Sequence, residues 1–192
     1  MENPEMNNMV LSLILYVMLP LWGIAGFVDW CCHRATKIEE NAGVKESFIH
    51  ALMGIQVGIP IMLALLFEMN VFILLCCLVV LITHEIVAHN DVKYASPLRE
   101  ISIWETHAHN YLATIPFYIF ALVSIRNWDI FMDMITFNWA GGFYLTLRQD
   151  PVAGNLYFLP YYLTFMTCLC FIPYAEEFWR CWRNRKNIVE SK

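Results

Sequence analysis

The sequence predicts an all-α, polytopic membrane protein built as a helical bundle, and three observations lead to this prediction. Hydrophobic residues make up 59% of the 192 residues and charged residues 15%, and the mean hydropathy of +0.50 is too high for an ordinary soluble domain. Five apolar stretches approach the roughly 20 residues that a helix needs to cross a bilayer. No long polar linker separates them, so we expect a single membrane domain over 1–192.

The predicted spans are bounded by the polar residues that interrupt the apolar runs. Their approximate ranges are 9–28, 48–67, 71–89, 103–125 and 152–175. The first span follows an acidic N-terminus and no small-residue cleavage site follows it, so we expect it to be kept rather than removed as a signal peptide. The third span is long enough to cross only if it includes His84, Glu85 and His89.

The segment between the fourth and fifth spans, 127–150, is rich in aromatic residues and is interrupted by Gly141 and Gly142. Trp128 and Trp139 are typical anchors of the bilayer interface. We therefore predict an interfacial helix followed by a hairpin. A sixth, re-entrant span is the alternative.

Lysine and arginine are unevenly distributed between the two sides of the predicted bundle. We call the side reached after the first span side B and the opposite side A. Side A receives only Arg126 and Arg148 of the 12 basic residues, and all the others fall on side B. The positive-inside rule therefore predicts that side B and the C-terminus are cytoplasmic and that the N-terminus is outside. A bacterial inner membrane is the expected location.

The net charge and the cysteines argue against two classes of function. The formal net charge is −5, whereas nucleic-acid binding needs a basic surface, so we expect no nucleic-acid partner. The seven cysteines lie mostly in or beside apolar runs and include no Cys-x-x-Cys pair. We therefore expect free thiols rather than a zinc ribbon or a redox site.

Acidic residues and histidines are concentrated where four predicted spans meet side B. Four pairs place a carboxylate four residues before a histidine, so that both side chains project from one helix face. The pairs are Asp29/His33, Glu46/His50, Glu85/His89 and Glu105/His109. Ionisable groups inside membrane spans are costly unless they are paired or coordinated. We therefore predict a metal site at this end of the bundle.

Carboxylate and imidazole ligands without thiolates are typical of iron, manganese or zinc. The candidates outnumber the ligands that one ion uses, so we expect two or more ions, with iron favoured by the number of carboxylates. His84 and Asp91 share a face and are expected as ligands or as partners of ligands. His107 is less favoured because it points away from Glu105 and His109 on an ideal helix. The predicted ligands are Asp29, His33, Glu46, His50, His84, Glu85, His89, Asp91, Glu105 and His109.

Three further side chains lie next to the predicted site in the sequence. Arg34 and Arg99 either anchor the helices at the membrane surface or contact site carboxylates or a lipid headgroup. Tyr94 is a candidate for a catalytic role. Glu105 and Asp91 are candidates for the same role, as a general base.

The predicted site resembles those of two groups of non-haem di-iron proteins. Carboxylates and histidines drawn from four helices resemble the site of ferritin-like carboxylate proteins, and the membrane setting resembles that of fatty-acid desaturases and hydroxylases. The resemblance covers only the residues from Asp29 to His109. Glu46-Ser-Phe-Ile-His50 is one residue longer than the ferritin-like Glu-x-x-His motif, and the sequence has no His-x-x-His-His motif. The resemblance implies a di-iron or multi-iron oxidoreductase of the oxygenase or desaturase type.

Three functions stay open at this point. With iron, the protein would oxidise a lipid or another apolar substrate at the cytoplasmic face, using electrons from an external donor. With zinc, it would hydrolyse a lipid ester or amide. A metal carrier or sensor is the third, and it is least favoured because transport sites usually lie near the bilayer midplane, whereas this predicted site lies near one end.

Overall fold

The protein is an all-α bundle whose long helices are apolar enough to make it an integral membrane protein. The computed structural model describes residues 4–190, except for the side chains of residue 153 and of residues 186–190. In that part of the chain, five helices are long and apolar enough to cross a membrane. They are α1 (Pro4–Ala35), α2 (Gly43–Leu66), α3 (Val71–Ala95), α4 (Ile103–Arg126) and α6 (Phe158–Arg185), and α5 (Trp128–Ile135) is a short helix before α6. The predicted fold class is confirmed.

The last helix differs from its predicted range of 152–175 at both ends. Residues 152–154 form a separate 3-10 turn, in which Gly154 adopts a φ of 65° that interrupts helical backbone. At the other end the helix continues past residue 175, and its final segment runs over Ile172–Glu190. This extension brings acidic residues at 176 and 177 back against the side-B end of the bundle.

The apolar core runs along the middle of the bundle. One buried cluster joins Leu15 and Leu19 of α1 to Leu65 of α2 and to Phe158 and Tyr162 of α6. A second cluster, closer to side B, consists of Trp22, Val57 and Ile115. Large apolar side chains are also exposed on the outer surface, which is the pattern expected when the surrounding solvent is lipid rather than water.

The segment between α4 and α6 packs against the side-A ends of α2 and α3. Helix α5 has 8 residues, which is too short to cross a bilayer, so the described chain forms no sixth span there. After α5 the chain returns to α2, where Phe67 and Leu147 form an isolated antiparallel bridge. The backbone amide of Arg148 donates a hydrogen bond of 2.9 Å to the carbonyl of Leu66. These contacts hold Arg148 at the side-A end of the bundle.

Candidate metal centre

Eight ionisable side chains are buried together at the side-B end of the bundle. Each of them has a relative exposure of 8% or less. They come from five helices and from the loop between α3 and α4, and they are Asp29, His33, Glu46, His50, Asp91, Arg99, Glu105 and Glu177. Ionisable groups that are this deeply buried must be paired, hydrogen-bonded or coordinated.

Local helix structure positions several of these side chains. Asp29 and His33 lie one turn apart near the end of α1, where the helix dipole favours a positive charge on His33. Glu46 lies in the first turn of α2, where the dipole favours a carboxylate. The hydroxyl of Ser102 caps α4 by accepting a hydrogen bond of 3.1 Å from the amide of Glu105.

The first group of possible ligands consists of Asp29, His33, Glu105 and His109. Each offers one ligand atom, and these atoms all lie within 4.8 Å of one another. His33 Nε2 lies 3.4 Å from Asp29 Oδ2 and 3.4 Å from Glu105 Oε1, and His109 Nε2 lies 2.9 Å from Asp29 Oδ1. Two carboxylates and two imidazoles in this arrangement form a ligand set that suits a divalent cation.

The second group consists of His33, Glu46 and His50, whose ligand atoms also lie within 4.8 Å of one another. The rings of His33 and His50 are stacked, with centroids 4.4 Å apart and planes inclined by 8°. Both groups therefore share His33 at the centre of the cluster. Asp91 of α3 adjoins the second group, with its Oδ2 atom 3.3 Å from His50 Nε2.

Glu177 of α6 connects the two stacked rings. Its Oε2 atom lies 3.0 Å from His33 Nδ1, and its Oε1 atom lies 2.9 Å from His50 Nδ1. A carboxylate only accepts hydrogen bonds, so both imidazoles donate through their Nδ1–H groups. This is the arrangement by which carboxylates orient histidines that bind metals through Nε2.

The Nε2 atoms of His33 and His50 are the ring nitrogens that Glu177 leaves free, and they face carboxylate oxygens. With the proton on Nδ1, the Nε2 atom of a neutral imidazole carries a lone pair. His33 Nε2 is buried and has no hydrogen-bond partner among the described residues. Two acceptor atoms at these distances repel each other unless a cation lies between them or the ring is protonated. The cluster therefore requires either bound cations or imidazolium groups.

Arg99 links the carboxylates of Glu46 and Glu105 on the side of the cluster away from Glu177. Its Nε atom donates to Glu46 Oε1 over 3.0 Å, and its Nη1 atom donates to Glu105 Oε2 over 2.9 Å, while Nη2 contacts both carboxylates. Burial alone would lower the pKa of Arg99, but the hydrogen bonds to Glu105 and Glu46 outweigh it and raise that pKa above its usual range. Arg99 thus contacts the site carboxylates, which was one of its two predicted roles.

Four of the ten predicted ligands, namely His84, Glu85, His89 and Asp91, lie outside both groups, as does the less favoured His107. His89 and His107 are exposed, and Glu85 is only half-buried. The α3 pair is therefore in neither group: Asp91 is the α3 carboxylate that contacts the cluster, while Glu85 and His89 line a cavity beside it. Residues 71–82 of α3 are apolar on every face, so the sequence did not reveal which face of this helix is turned inward.

His84, Tyr94 and Arg34 also lie apart from the two groups. His84 is buried, but its Nδ1 atom has no hydrogen-bond partner among the described residues. The hydroxyl of Tyr94 donates to the carbonyl of Ala42 over 3.2 Å, which makes it a link between α3 and α2 rather than a group facing the cluster. Arg34 forms an exposed ion pair with Glu176 of 2.9 Å.

Glu177 and Tyr174 of α6 also belong to the site, although neither was among the residues predicted from the sequence. The Tyr174 hydroxyl donates to Asp29 Oδ2 over 3.1 Å. A signal was present, because the alternation of spans brings the end of the last helix to side B. The predicted end at residue 175 excluded Glu177 from the helix and so from the site.

A cavity of about 870 Å³, which we call the site cavity, adjoins the cluster. Asp29, His50, Asp91 and His109 line its polar end. His84, Glu85 and His89 of α3 also line it, and the rest of its wall is mainly apolar and comes from all five long helices. A ligand in this cavity would therefore place a polar or reactive end against the cluster and an apolar body between the helices.

The comparisons with known proteins give no relative. No protein-family model, curated protein or solved structure matches the chain.

Replacing Glu177 by Gln should destabilise the protein by about 2–4 kcal/mol, because an amide offers one acceptor where two buried Nδ1–H groups converge. The neighbouring E176Q substitution is the matched control. Glu176 is partly exposed and bonds mainly to surface arginines, so its replacement should cost about 1 kcal/mol or less. Denaturant unfolding of both variants in the same detergent measures the difference, and equal losses would contradict the bridging role of Glu177.

Proposed function

We propose that this chain is a membrane-embedded metalloenzyme that binds two metal ions at the side-B end of its bundle. The observation that carries the proposal is the contact between imidazole Nε2 atoms and carboxylate oxygens, with the Nδ1 atoms already engaged by Glu177. A cation between these atoms would turn repulsive contacts into coordination bonds. His33 would bind one ion together with Asp29, Glu105 and His109, and Glu46, His50 and Asp91 would bind the other, because the one free ring nitrogen of His33 binds a single ion.

The charge of the cluster supports two ions rather than one. Five buried carboxylates face one buried guanidinium, that of Arg99. With neutral imidazoles the cluster carries four formal negative charges, which two divalent cations would neutralise. An uncompensated charge in a low-dielectric interior is strongly destabilising, so this balance favours a dinuclear site.

We propose iron as the metal and oxidation as the reaction. The ligand groups contain carboxylates and imidazoles but no thiolate, which suits iron, manganese or zinc. Iron would supply one-electron and oxygen chemistry, and an external electron donor is then a required partner. The protein's own residues hold the ligands: Glu177 sets the imidazole tautomers, Arg99 fixes Glu46 and Glu105, and Tyr174 orients Asp29.

The proposed substrate is a lipid or another long apolar molecule. The site cavity supports this because its polar end is formed by ligand candidates and the remainder of its wall is mainly apolar. An apolar substrate would enter between helices from the bilayer. Its apolar body would exclude water from the ligand groups.

A zinc-dependent lipid hydrolase is the second candidate, and Asp91 is the observation that favours it. Asp91 lines the site cavity, and its Oδ1 atom is buried without a hydrogen-bond partner among the described residues. A carboxylate with one free oxygen at the cavity wall is suited to act as a general base toward water.

Replacing His33, His50 or His109 by Ala should lower bound metal to about one ion or fewer per chain, because each loss opens a ligand group and leaves unpaired carboxylates. The matched controls are H89A and H107A, which remove exposed imidazoles and should leave the metal content unchanged. Elemental analysis of protein purified in detergent gives the content, and Mössbauer or EPR spectroscopy separates iron from zinc. Unchanged content in all five variants would indicate a network of protonated imidazoles instead.

Introducing Phe at Gly58 should abolish lipid conversion while leaving the metal content unchanged. Gly58 lines the site cavity, and a Cβ atom there would meet nothing within 4 Å, so a larger side chain can occupy the substrate's space. The control is I59F, which adds a ring at a neighbouring position that is 52% exposed and outside the cavity. Lipid profiles of cells lacking the protein and complemented with each variant give the readout. Unchanged lipids together with turnover of a water-soluble compound would exclude a lipid substrate.

We also propose that side B is cytoplasmic and that the membrane is a bacterial inner membrane. The excess of lysine and arginine on side B supports this orientation. A cytoplasmic reporter fused to the C-terminus should therefore be active, and the same reporter inserted between α5 and α6 should be inactive. The reverse pattern would invert the orientation without separating the ligand groups, since these depend only on the alternation of the helices.

A further inference from the structure

A second cavity, which we call the side-A cavity, lies toward the opposite end of the bundle. Its volume is about 580 Å³, which is within the usual range for small-molecule sites. Its wall is mainly apolar and includes Leu15, Leu19 and Val57. Trp22 and His84 line both this cavity and the site cavity, so the two cavities meet near the middle of the bundle.

Two arginines line the side-A cavity at its outer end. Arg126 is the last residue of α4, and Arg148 is held beside the end of α2 by its backbone hydrogen bond to Leu66. They are the two basic residues that the sequence assigns to side A. The Nε atom of each is buried and has no hydrogen-bond partner among the described residues.

The surroundings of these arginines leave their charges incompletely compensated. Burial and the nearby charge of Arg126 lower the pKa of Arg148, and the acidic Glu68 only partly opposes this. Asp150 also lines the cavity, but neither arginine forms an ion pair with a described carboxylate. By contrast, Arg34, Arg99 and Arg180 each form at least one ion pair.

We propose that Arg126 and Arg148 bind the phosphate group of an anionic amphiphile whose apolar chain occupies the side-A cavity. Two guanidinium groups provide the forked donors that match phosphate oxygens. The apolar wall behind them favours a phosphate that carries a hydrocarbon chain over a free ion. The ligand is therefore a phospholipid of the side-A leaflet.

This ligand is separate from the proposed substrate. One leaflet contributes about 15 Å of hydrocarbon, half of the roughly 30 Å core. His84 lies 13 residues after Val71, the first residue of α3, which is about 20 Å along the helix axis. A chain anchored at side A would thus end near the meeting point of the two cavities, short of the metal ligands. The inference does not rest on the proposed function.

Native mass spectrometry of the full chain in a nonionic detergent tests the proposal. Dioleoylphosphatidylglycerol should bind the wild type at least about tenfold more tightly than dioleoylglycerol, which has the same chains and no phosphate. The double variant R126Q/R148Q should lose this preference. R183Q, which neutralises an exposed arginine of α6, should retain it. R126K/R148K keeps the charges and should retain part of the preference if the glutamine variant does not fold.

A parallel titration with inorganic phosphate distinguishes the two sources of the anion. Failure of millimolar phosphate to displace the phospholipid would assign the site to a lipid headgroup, whereas full displacement and binding of phosphate alone would assign it to a free anion. Equal binding of the phospholipid and dioleoylglycerol by the wild type would overturn the proposal. Undiminished preference in a folded R126Q/R148Q variant would also overturn it.

Discussion

The hydrogen bonds from two stacked imidazoles to the carboxylate of Glu177 connect the last helix to the first two. They fix the Nδ1–H tautomer of His33 and His50, and this choice determines what the opposite side of each ring can bind. Because the Nε2 atoms then face carboxylates, the rest of the cluster depends on a positive charge in this space. Arg99 provides one such charge at the edge, between α2 and α4.

The position of this cluster at the end of an apolar bundle explains why its members must act together. Water that would otherwise solvate five carboxylates is largely excluded, so each charge has to be compensated by a neighbouring group or a bound ion. The same exclusion supports the proposed apolar substrate. The site cavity adjoins the cluster and continues between the helices, which is the route we propose for the substrate.

The arginines at the two ends of the bundle differ in whether carboxylates compensate their charges. On side B, Arg99 is matched by two carboxylates of the cluster, and Arg34 at the surface is matched by Glu176. On side A the loop after α5 brings Arg148 to the same cavity as Arg126, without an ion pair to a described carboxylate. One end is therefore rich in buried carboxylates and suited to cations, and the other is suited to an anion.

Much of the fold could be predicted from the sequence, because apolar runs of span length leave a chain few alternatives to membrane helices. The alternation of spans also predicted that Asp29/His33, Glu46/His50 and Glu105/His109 meet at one end. The i,i+4 spacing fixes how two side chains lie relative to each other, but not which way the helix is rotated. Only tertiary packing decided that α3 buries Asp91 and leaves His89 exposed, since residues 71–82 are apolar on every face and do not mark an inward one.

The contribution of the last helix was likewise decided by the tertiary structure. Composition alone places Glu176 and Glu177 in a charged tail, where carboxylates are usually solvated. Packing of α6 against α1 and α2 buries Glu177 between two imidazoles, while its neighbour Glu176 stays at the surface with Arg34. The sequence by itself thus determined a membrane bundle with acidic and histidine residues gathered at one end. The tertiary structure decided which of them meet, because contacts between helices depend on rotation and depth as well as on spacing.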